Sequence, residues 1–179
     1  MSAEIEAKLK VESHEEVANR LAELGAEFLA QQQQTDSYFD DANRTLTNTD
    51  KCLRLRRQQV GDAQKTFLTY KGAREKSDFK KRREIEIEIS DADSARKLLS
   101  AIDYEKVLVV EKKRRIWRLA DCEVALDELP LLGCFVEIEG PDAEKIADVQ
   151  RNLGLAALPH ITDSYASLVA EKISRQNAE

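Results

Sequence analysis

The chain has few cysteines, prolines and glycines: three, three and six among its 179 residues. Cys52, Cys122 and Cys134 are odd in number and widely spaced, so they form neither a disulfide framework nor the paired cysteines of a zinc site. The six glycines do not form a P-loop or the glycine-rich fingerprint of a dinucleotide fold. Composition therefore disfavours disulfide-rich, zinc-finger and Rossmann-type proteins.

Long hydrophobic runs and an excess of basic residues are also missing. No apolar run approaches the roughly 18 residues of a membrane helix, and no secretory signal precedes the first charged segment. The net charge of −6 opposes general binding of nucleic acid, which depends on a basic surface. We therefore expect a cytoplasmic protein with neither a membrane nor a nucleic-acid partner, organised as one domain over residues 1–179.

The dominant pattern in the sequence is a strict alternation of apolar and charged residues. Such alternation predicts β-strands with two chemically different faces. Three segments of this kind are each followed by an amphipathic helix, and five further segments also fit strands. The eight predicted strands cover residues 3–11, 28–41, 52–60, 64–71, 83–89, 106–119, 123–129 and 135–140.

Helix boundaries are marked by residues that commonly cap helices. We expect Ser13 to cap the first helix and Gly25 to end it. Asp91 is the expected cap of the second helix, and Pro141 suits the first position of the third. A last helix is predicted over residues 163–175.

The amphipathic helices need an apolar surface, so we expect them to cover the apolar faces of the strands. The charged faces are then left to face one another across a lumen. The predicted fold is mainly β with flanking helices (α+β), a closed or nearly closed eight-stranded antiparallel barrel with a charged lumen. An ordinary sheet with its charged face in water is the alternative. Almost every strand carries charged residues of both signs, which favours the lumen. Burial of these charges costs free energy, which indicates that the lumen has a function.

The charged faces combine two kinds of ligand-binding chemistry. Lysine and arginine side chains bind phosphate oxygens, so a set of them suits a polyphosphate. Carboxylates two residues apart, such as Glu4 with Glu6 and Glu137 with Glu139, place hard oxygen ligands side by side for Mg²⁺ or Mn²⁺. The lumen therefore suits a complex of a metal with a triphosphate.

Residues 4–8, Glu-Ile-Glu-Ala-Lys, resemble the N-terminal signature of the CYTH family, which includes class IV adenylyl cyclases, thiamine triphosphatases and triphosphate tunnel metalloenzymes. Further segments resemble the family in the same order along essentially the whole chain: residues 34–39, 53–56, 69–72, 83–86, 111–114, 125–127, 133–139 and 164–165. The Lys-x-Arg strand and the Gly-Cys-Phe-Val-Glu-Ile segment are most similar to the class IV adenylyl cyclase branch.

The resemblance implies a role for each matching residue. The implied metal ligands, for Mg²⁺ or Mn²⁺, are Glu4, Glu6, Asp127, Glu137 and Glu139. The implied phosphate-binding residues are Lys8, Arg54, Arg56, Lys71, Arg82, Lys112 and Arg114. The implied catalytic residues are Lys71, Glu6 and Glu137.

The implied reaction is the conversion of ATP to cyclic AMP and pyrophosphate. The alternatives are a tripolyphosphatase or thiamine-triphosphatase-type hydrolase, and a polyphosphate-binding module without catalysis. The expected partner is a small molecule that carries a triphosphate, and a homodimer stays open. Tyr38 could either pack or contact the ligand, whereas Tyr165 is expected to pack the last helix on the barrel.

Overall fold

A computed structural model describes residues 3–74 and 80–178 of the chain. Its elements, in chain order, are β1 (Ala3–Val11), α1 (Glu15–Glu23), β2 (Glu27–Asp40), α2 (Thr45–Asn48), β3 (Cys52–Val60), β4 (Ala63–Arg74), β5 (Lys80–Ile89), α3 (Ala92–Ala101), β6 (Glu105–Leu119), β7 (Cys122–Leu129), β8 (Gly133–Glu139), α4 (Ala143–Asn152) and α5 (Tyr165–Gln176). Among the described helices, none is long and apolar enough to cross a membrane.

The eight strands form one antiparallel sheet that curls around a central cavity, in the order β1-β5-β4-β3-β2-β6-β7-β8. Strand β1 joins the two ends of the sheet. It pairs with β8 from Glu6 to Val11 and with β5 from Ala3 to Glu6. The pairing with β5 is the shortest among the described strands, so the ring closes through a short seam. The predicted eight antiparallel strands with flanking helices are confirmed.

The outward face of β1 and β8 is apolar and lies beneath two helices. Leu9 and Ile138 are fully buried in a cluster on this face. Leu21 of α1 and Ile146 of α4 belong to the same cluster. Alternate residues on a strand point to opposite faces, so this packing leaves the charged residues of β1 and β8 on the inward face.

Helix α5 does not lie on the outer surface as α1, α3 and α4 do. It packs through Tyr165 and Val169 against Val110, Leu129 and Phe135. These three strand residues share the inward face with the charged residues two positions away. The inward face therefore becomes apolar at one end of the barrel, where α5 covers it. The prediction that all helices cover outward faces is wrong for α5.

Two predicted helix boundaries are confirmed, the start of α3 and the end of α1. Asp91 caps α3, since its side chain accepts hydrogen bonds from the backbone N–H groups of Asp93 and Ser94. Gly25, with φ of +69°, follows α1 in the left-handed conformation that glycine adopts most easily.

Two predicted helix starts are wrong. His14 is the N-cap of α1, and it makes no capping hydrogen bond with its side chain. Ser13 lies one residue before this N-cap, and its Oγ accepts a long hydrogen bond from the N–H of Glu15, at 3.4 Å. Helix α4 begins at Ala143, because the side chain of Asp142 rather than Pro141 stabilises its first turn by accepting from Lys145 N.

The packing of Leu9 leads to a stability prediction. Leu9→Ala should lower the free energy of unfolding by about 2–5 kcal/mol, because it leaves a cavity between the sheet and its covering helices. Leu98, which is 64% exposed on α3, offers a matched control. Leu98→Ala should change the free energy by less than about 0.5 kcal/mol. Urea denaturation followed by circular dichroism measures both, and equal effects would contradict the described packing.

Candidate active site

The curled sheet encloses a cavity of about 1080 Å³. Its walls combine cations, carboxylates and neutral amides on the inward faces of the strands. Ten of the residues singled out in the sequence line it: Glu6, Lys8, Arg54, Arg56, Lys71, Arg82, Lys112, Arg114, Glu137 and Glu139. The side chain of Glu4 lies outside the described residues.

Asp127 is the most deeply buried carboxylate of the site. Arg114 donates to both of its oxygens, from Nε at 2.7 Å and from Nη2 at 2.5 Å. Lys112 Nζ lies 3.5 Å from Oδ2, and the hydroxyl of Tyr165 donates to the same oxygen at 2.9 Å. The side chain has no exposed surface and does not line the cavity. This geometry does not support Asp127 as a metal ligand, because its carboxylate is enclosed behind the cavity wall, where it holds the cations.

Glu137 joins two of the cations at the cavity wall. It pairs with Arg114 and lies 3.4 Å from Lys8 Nζ. Lys8 is 1% exposed, and its ammonium also donates to the backbone carbonyl of Asp163 at 2.9 Å. Glu137 therefore neutralises part of the basic wall while it faces the cavity.

A second buried ion pair lies on strands β2 and β3. Arg56 donates to both oxygens of Asp36, at 2.6 and 2.7 Å, and Arg54 Nη1 lies 3.8 Å from the same carboxylate. Burial alone would raise the pKa of Asp36, but the hydrogen bonds and charge of Arg56 and the charge of Arg54 hold that pKa well below its ordinary value. Asp36 therefore stays ionised.

Asp36 was not singled out as a site residue in the sequence. The alternation along the strand could have indicated that Asp36 faces the cavity. Asp36 is two residues from both Gln34 and Tyr38, and these two residues line the same cavity. The sequence segment resembled the family, but nothing in it showed that its carboxylate pairs with an arginine.

Strands β4 and β5 supply further pairs. Lys71 Nζ lies 2.6 Å from Glu84, and Arg54 Nη2 lies 3.5 Å from Glu86. Thr69 links them, since its hydroxyl donates to Glu86 at 2.8 Å and accepts from Arg54 at 3.2 Å. Each cation of this wall thus has a carboxylate neighbour.

Two buried arginine nitrogens stand apart from this network. In the described part of the chain, Nε of Arg54 and Nε of Arg82 are buried and make no hydrogen bond. Arg54 is 8% exposed and Arg82 5% exposed. A buried donor without a partner costs about 1–3 kcal/mol. Two such donors beside one cavity favour an anionic ligand as the missing acceptor.

Three carboxylates form a row across neighbouring strands. Glu6 of β1 lies opposite Glu139 of β8, which in turn lies opposite Glu123 of β7. Like charges directly opposite each other on adjacent strands are destabilising. Together with Glu137 and Arg114 these carboxylates line a small recess of the cavity. Hard carboxylate oxygens with a surplus of negative charge fit a divalent cation.

The carboxylates of this row are not drawn together around a single point. Within residues 3–74 and 80–178, no group of three or more His, Cys, Asp or Glu side chains is close enough to hold one ion. Mg²⁺ keeps several of its waters and binds through one or two carboxylates with substrate phosphates, so it does not need such a cage. Glu123 lies on a predicted strand, but the sequence did not predict a role for it as a ligand.

Lys112 is a cation of the cavity whose charge is easily lost. Burial, and then the neighbouring charge of Arg114, lower the pKa of Lys112 to about 7. Its ammonium lies 4.9 Å from the centre of the Tyr165 ring, and that of Lys8 lies 4.1 Å from the same centre. Burial raises the pKa of the Tyr165 hydroxyl well above its ordinary value, so it remains a donor to Asp127.

Comparison with known proteins relates this site to a family. Residues 2–165 match the CYTH domain family. A Methanocaldococcus jannaschii protein with the provisional name adenylate cyclase is 32% identical over 136 residues, which cover 76% of this chain and 75% of that protein. The adenylate cyclase CyaB of Aeromonas hydrophila is 28% identical over 181 residues, covering 96% of this chain and 91% of that one. A solved structure from Pyrococcus horikoshii OT3 has a TM-score of 0.84 at 30% identity, covering 94% of this chain and 99% of that one.

The titration of Lys112 leads to a prediction for ligand binding. The affinity for inorganic triphosphate should fall as the pH rises through about 7, because unliganded Lys112 loses its proton there and the neutral amine no longer attracts the anion. The loss should reach up to about tenfold for each pH unit above the pKa. Isothermal titration calorimetry across this range measures it.

Lys112→Arg is the control for this titration, since arginine stays charged throughout. Its affinity should depend less steeply on pH, and protonation of the ligand contributes equally to both proteins. An equal pH dependence in the two proteins would contradict the described environment of Lys112.

The placement of Asp127 leads to a prediction for stability. Asp127→Asn should lower the free energy of unfolding by about 3–5 kcal/mol, because it leaves the buried charge of Arg114 without its main partner. Glu139→Gln should change it by less than about 1 kcal/mol, because Glu139 is exposed and belongs to the carboxylate row. Urea denaturation measures the free energy of unfolding of both variants. Small changes in both variants would mean that Asp127 does not hold the basic wall.

Proposed function

Because this chain belongs to the CYTH domain family, we propose that it is a divalent-metal-dependent enzyme that acts on a triphosphate in its barrel cavity. The first candidate reaction is the class IV adenylyl cyclase reaction, in which ATP gives cyclic AMP and pyrophosphate. The single observation that carries the proposal is the convergence of seven predicted phosphate-binding residues on one cavity. Two of them, Arg54 and Arg82, keep a buried nitrogen without an acceptor.

The seven predicted phosphate-binding residues form the proposed phosphate clamp, and buried carboxylates hold several of them in position. Asp36 holds Arg56, and Asp127 holds Arg114 and Lys112. Charged donors that are already oriented need not reorganise as charge develops on the phosphate oxygens, which is how most enzymes of phosphoryl transfer lower the barrier. The acidic partners therefore support catalysis by fixing the donors and not by contacting the substrate.

The proposed metal ligands are three of the four carboxylates of the recess, Glu6, Glu137 and Glu139, with Glu4 on the same strand as Glu6. A bound Mg²⁺ or Mn²⁺ would neutralise charge on the phosphate oxygens. Glu6 and Glu139 lie opposite each other on β1 and β8, so they offer oxygens from two strands at one level of the cavity.

Lys71, a member of the clamp, is also proposed as a catalytic residue. Its ammonium lies 2.6 Å from Glu84 and lines the cavity, so it can donate to a phosphate oxygen next to the reacting phosphorus. In the cyclase reaction the ribose 3′-hydroxyl attacks the α-phosphorus, and the clamp holds the departing pyrophosphate.

Hydrolysis of a triphosphate is the second candidate, because the same clamp can hold the phosphates while water attacks. The two reactions differ in the nucleophile and in whether the rest of the substrate must be positioned. A polyphosphate-binding module without catalysis would retain the clamp and show no turnover. The carboxylate row argues against such a module, since binding of phosphate alone does not need it.

Product analysis distinguishes the three candidates. The protein is incubated with Mg²⁺ or Mn²⁺ and with ATP, thiamine triphosphate or inorganic triphosphate, and the products are separated by chromatography. We expect cyclic AMP and pyrophosphate from ATP, with inorganic triphosphate acting as an inhibitor. Hydrolysis of inorganic triphosphate without any cyclic AMP would favour the hydrolase, and no product from any substrate would favour the binding module.

The clamp is tested by Arg56→Ala with Arg57→Ala as its control. Arg56 lines the cavity, whereas the neighbouring Arg57 is exposed and pairs with Asp93 on the outer side. Loss of one charged hydrogen bond in the transition state costs about 1.5–3 kcal/mol, so Arg56→Ala should lower kcat/KM roughly ten- to a hundredfold. Arg57→Ala should have nearly wild-type kinetics. Equal kinetics of the two variants would remove Arg56 from the clamp.

A further inference from the structure

Three glutamines form a neutral cluster in the otherwise charged cavity. Gln32, Gln34 and Gln58 all line it. The side-chain amide of Gln34 donates to Oε1 of Gln32 at 2.7 Å and to Oε1 of Gln58 at 3.1 Å. We refer to these three residues as the glutamine cluster.

Gln34 is the buried centre of the glutamine cluster and has an unused acceptor. It is 3% exposed. Among the described residues, its Oε1 is a buried oxygen that accepts no hydrogen bond. Both of its N–H donors are already used, so the free group is specifically an acceptor. A buried polar atom without a partner is unfavourable, which indicates that a hydrogen-bond donor is expected at this position.

The glutamine cluster lies directly beside the phosphate clamp. In the sheet, Gln34 is opposite Lys112 of β6 and Gln58 of β3. Gln32 is opposite Arg114. A group that binds at this cluster would therefore be attached to, or in contact with, the phosphates held by the clamp.

A purely structural role, in which the glutamine side chains link neighbouring strands, explains the cluster less well. Strands β2 and β3 are already paired by the backbone from Gln33 to Phe39, so they do not need side-chain links. Such a role also gives no reason for the empty acceptor on Gln34. Phosphate binding is unsuitable as well, because a free carbonyl oxygen repels a phosphate oxygen.

The chemistry of a carboxamide points to a class of ligand. A carboxamide oxygen accepts a hydrogen bond from an exocyclic amino group, which is one of the contacts by which glutamine recognises the edge of adenine. The cavity of about 1080 Å³ has room for such a ring in addition to a triphosphate.

We propose that the glutamine cluster binds the amine-bearing edge of a heteroaromatic ring that is attached to the triphosphate, with Gln34 Oε1 accepting from the amine. This inference rests on the proposed function and narrows its substrate to an organic triphosphate with an amino-substituted ring. Inorganic triphosphate would bind the clamp alone.

Binding of ATP, inosine triphosphate and inorganic triphosphate tests the proposal. Inosine triphosphate carries the same ribose and phosphates as ATP, but it has a ring oxygen substituent in place of the amine. Calorimetric titration in EDTA prevents metal-dependent turnover. We expect the wild-type protein to bind ATP about tenfold more tightly than inosine triphosphate.

Gln34→Leu is compared with Gln33→Leu, whose side chain is exposed on the opposite face of the same strand. Gln34→Leu should lose most of the preference for ATP while its affinity for inorganic triphosphate stays within about twofold. Gln33→Leu should behave as wild type. Circular dichroism verifies the fold, and Gln58→Leu, which removes one partner of Gln34, serves as the second variant if Gln34→Leu does not fold.

Each outcome decides between the proposals. An unchanged preference for ATP in Gln34→Leu, or no preference in the wild-type protein, overturns the role of the glutamine cluster and leaves the triphosphate site intact. Equal loss of affinity for all three ligands in Gln34→Leu also overturns it. Failure of the wild-type protein to bind any of the three ligands contradicts the proposed function itself.

Discussion

Arg114 and Asp127 form a buried ion pair on which the other interactions of the cavity depend. The carboxylate accepts two hydrogen bonds from Arg114, attracts Lys112 and binds the hydroxyl of Tyr165. Without it, several positive charges would share a confined space with little water to screen them. Asp36 does the same for Arg56 across the cavity. A cavity with this many cations is stable only because carboxylates neutralise it from behind.

The two faces of the sheet separate the apolar packing from the charged cavity. The outward face of β1 and β8 packs with α1 and α4 into an apolar cluster. The inward face is left free to carry the charged groups, and it becomes apolar only where α5 covers one end. Tyr165 connects these parts, since it packs with Phe135 on one side and contacts Asp127 and Lys8 on the other. Helix α5 therefore influences the clamp as well as the fold.

Much of this organisation could be predicted from the alternation along the strands. The period of two assigns Glu6 and Lys8 to one face and Leu9 to the other, whatever the length of the strand. The partner of each charge could not be predicted in this way, because pairing depends on the register between strands that are distant in sequence. The family resemblance implies a metal ligand at Asp127, and only the register of β6 and β7 shows its pairing with Arg114. Nothing in the sequence assigns a role to Gln34. Helix α5 was assigned to the outer surface, because its apolar stripe does not reveal which face of a sheet it covers.

A structure of the protein with Mn²⁺ and a non-reactive ATP analogue would test the central claim most directly. We expect triphosphate oxygens in contact with Arg54, Arg56, Lys112 and Arg114. We also expect an anomalous signal of Mn²⁺ between the phosphates and the carboxylates of Glu6, Glu137 and Glu139. The analogue bound on the outer surface, or phosphates in the cavity with Mn²⁺ elsewhere, would contradict it.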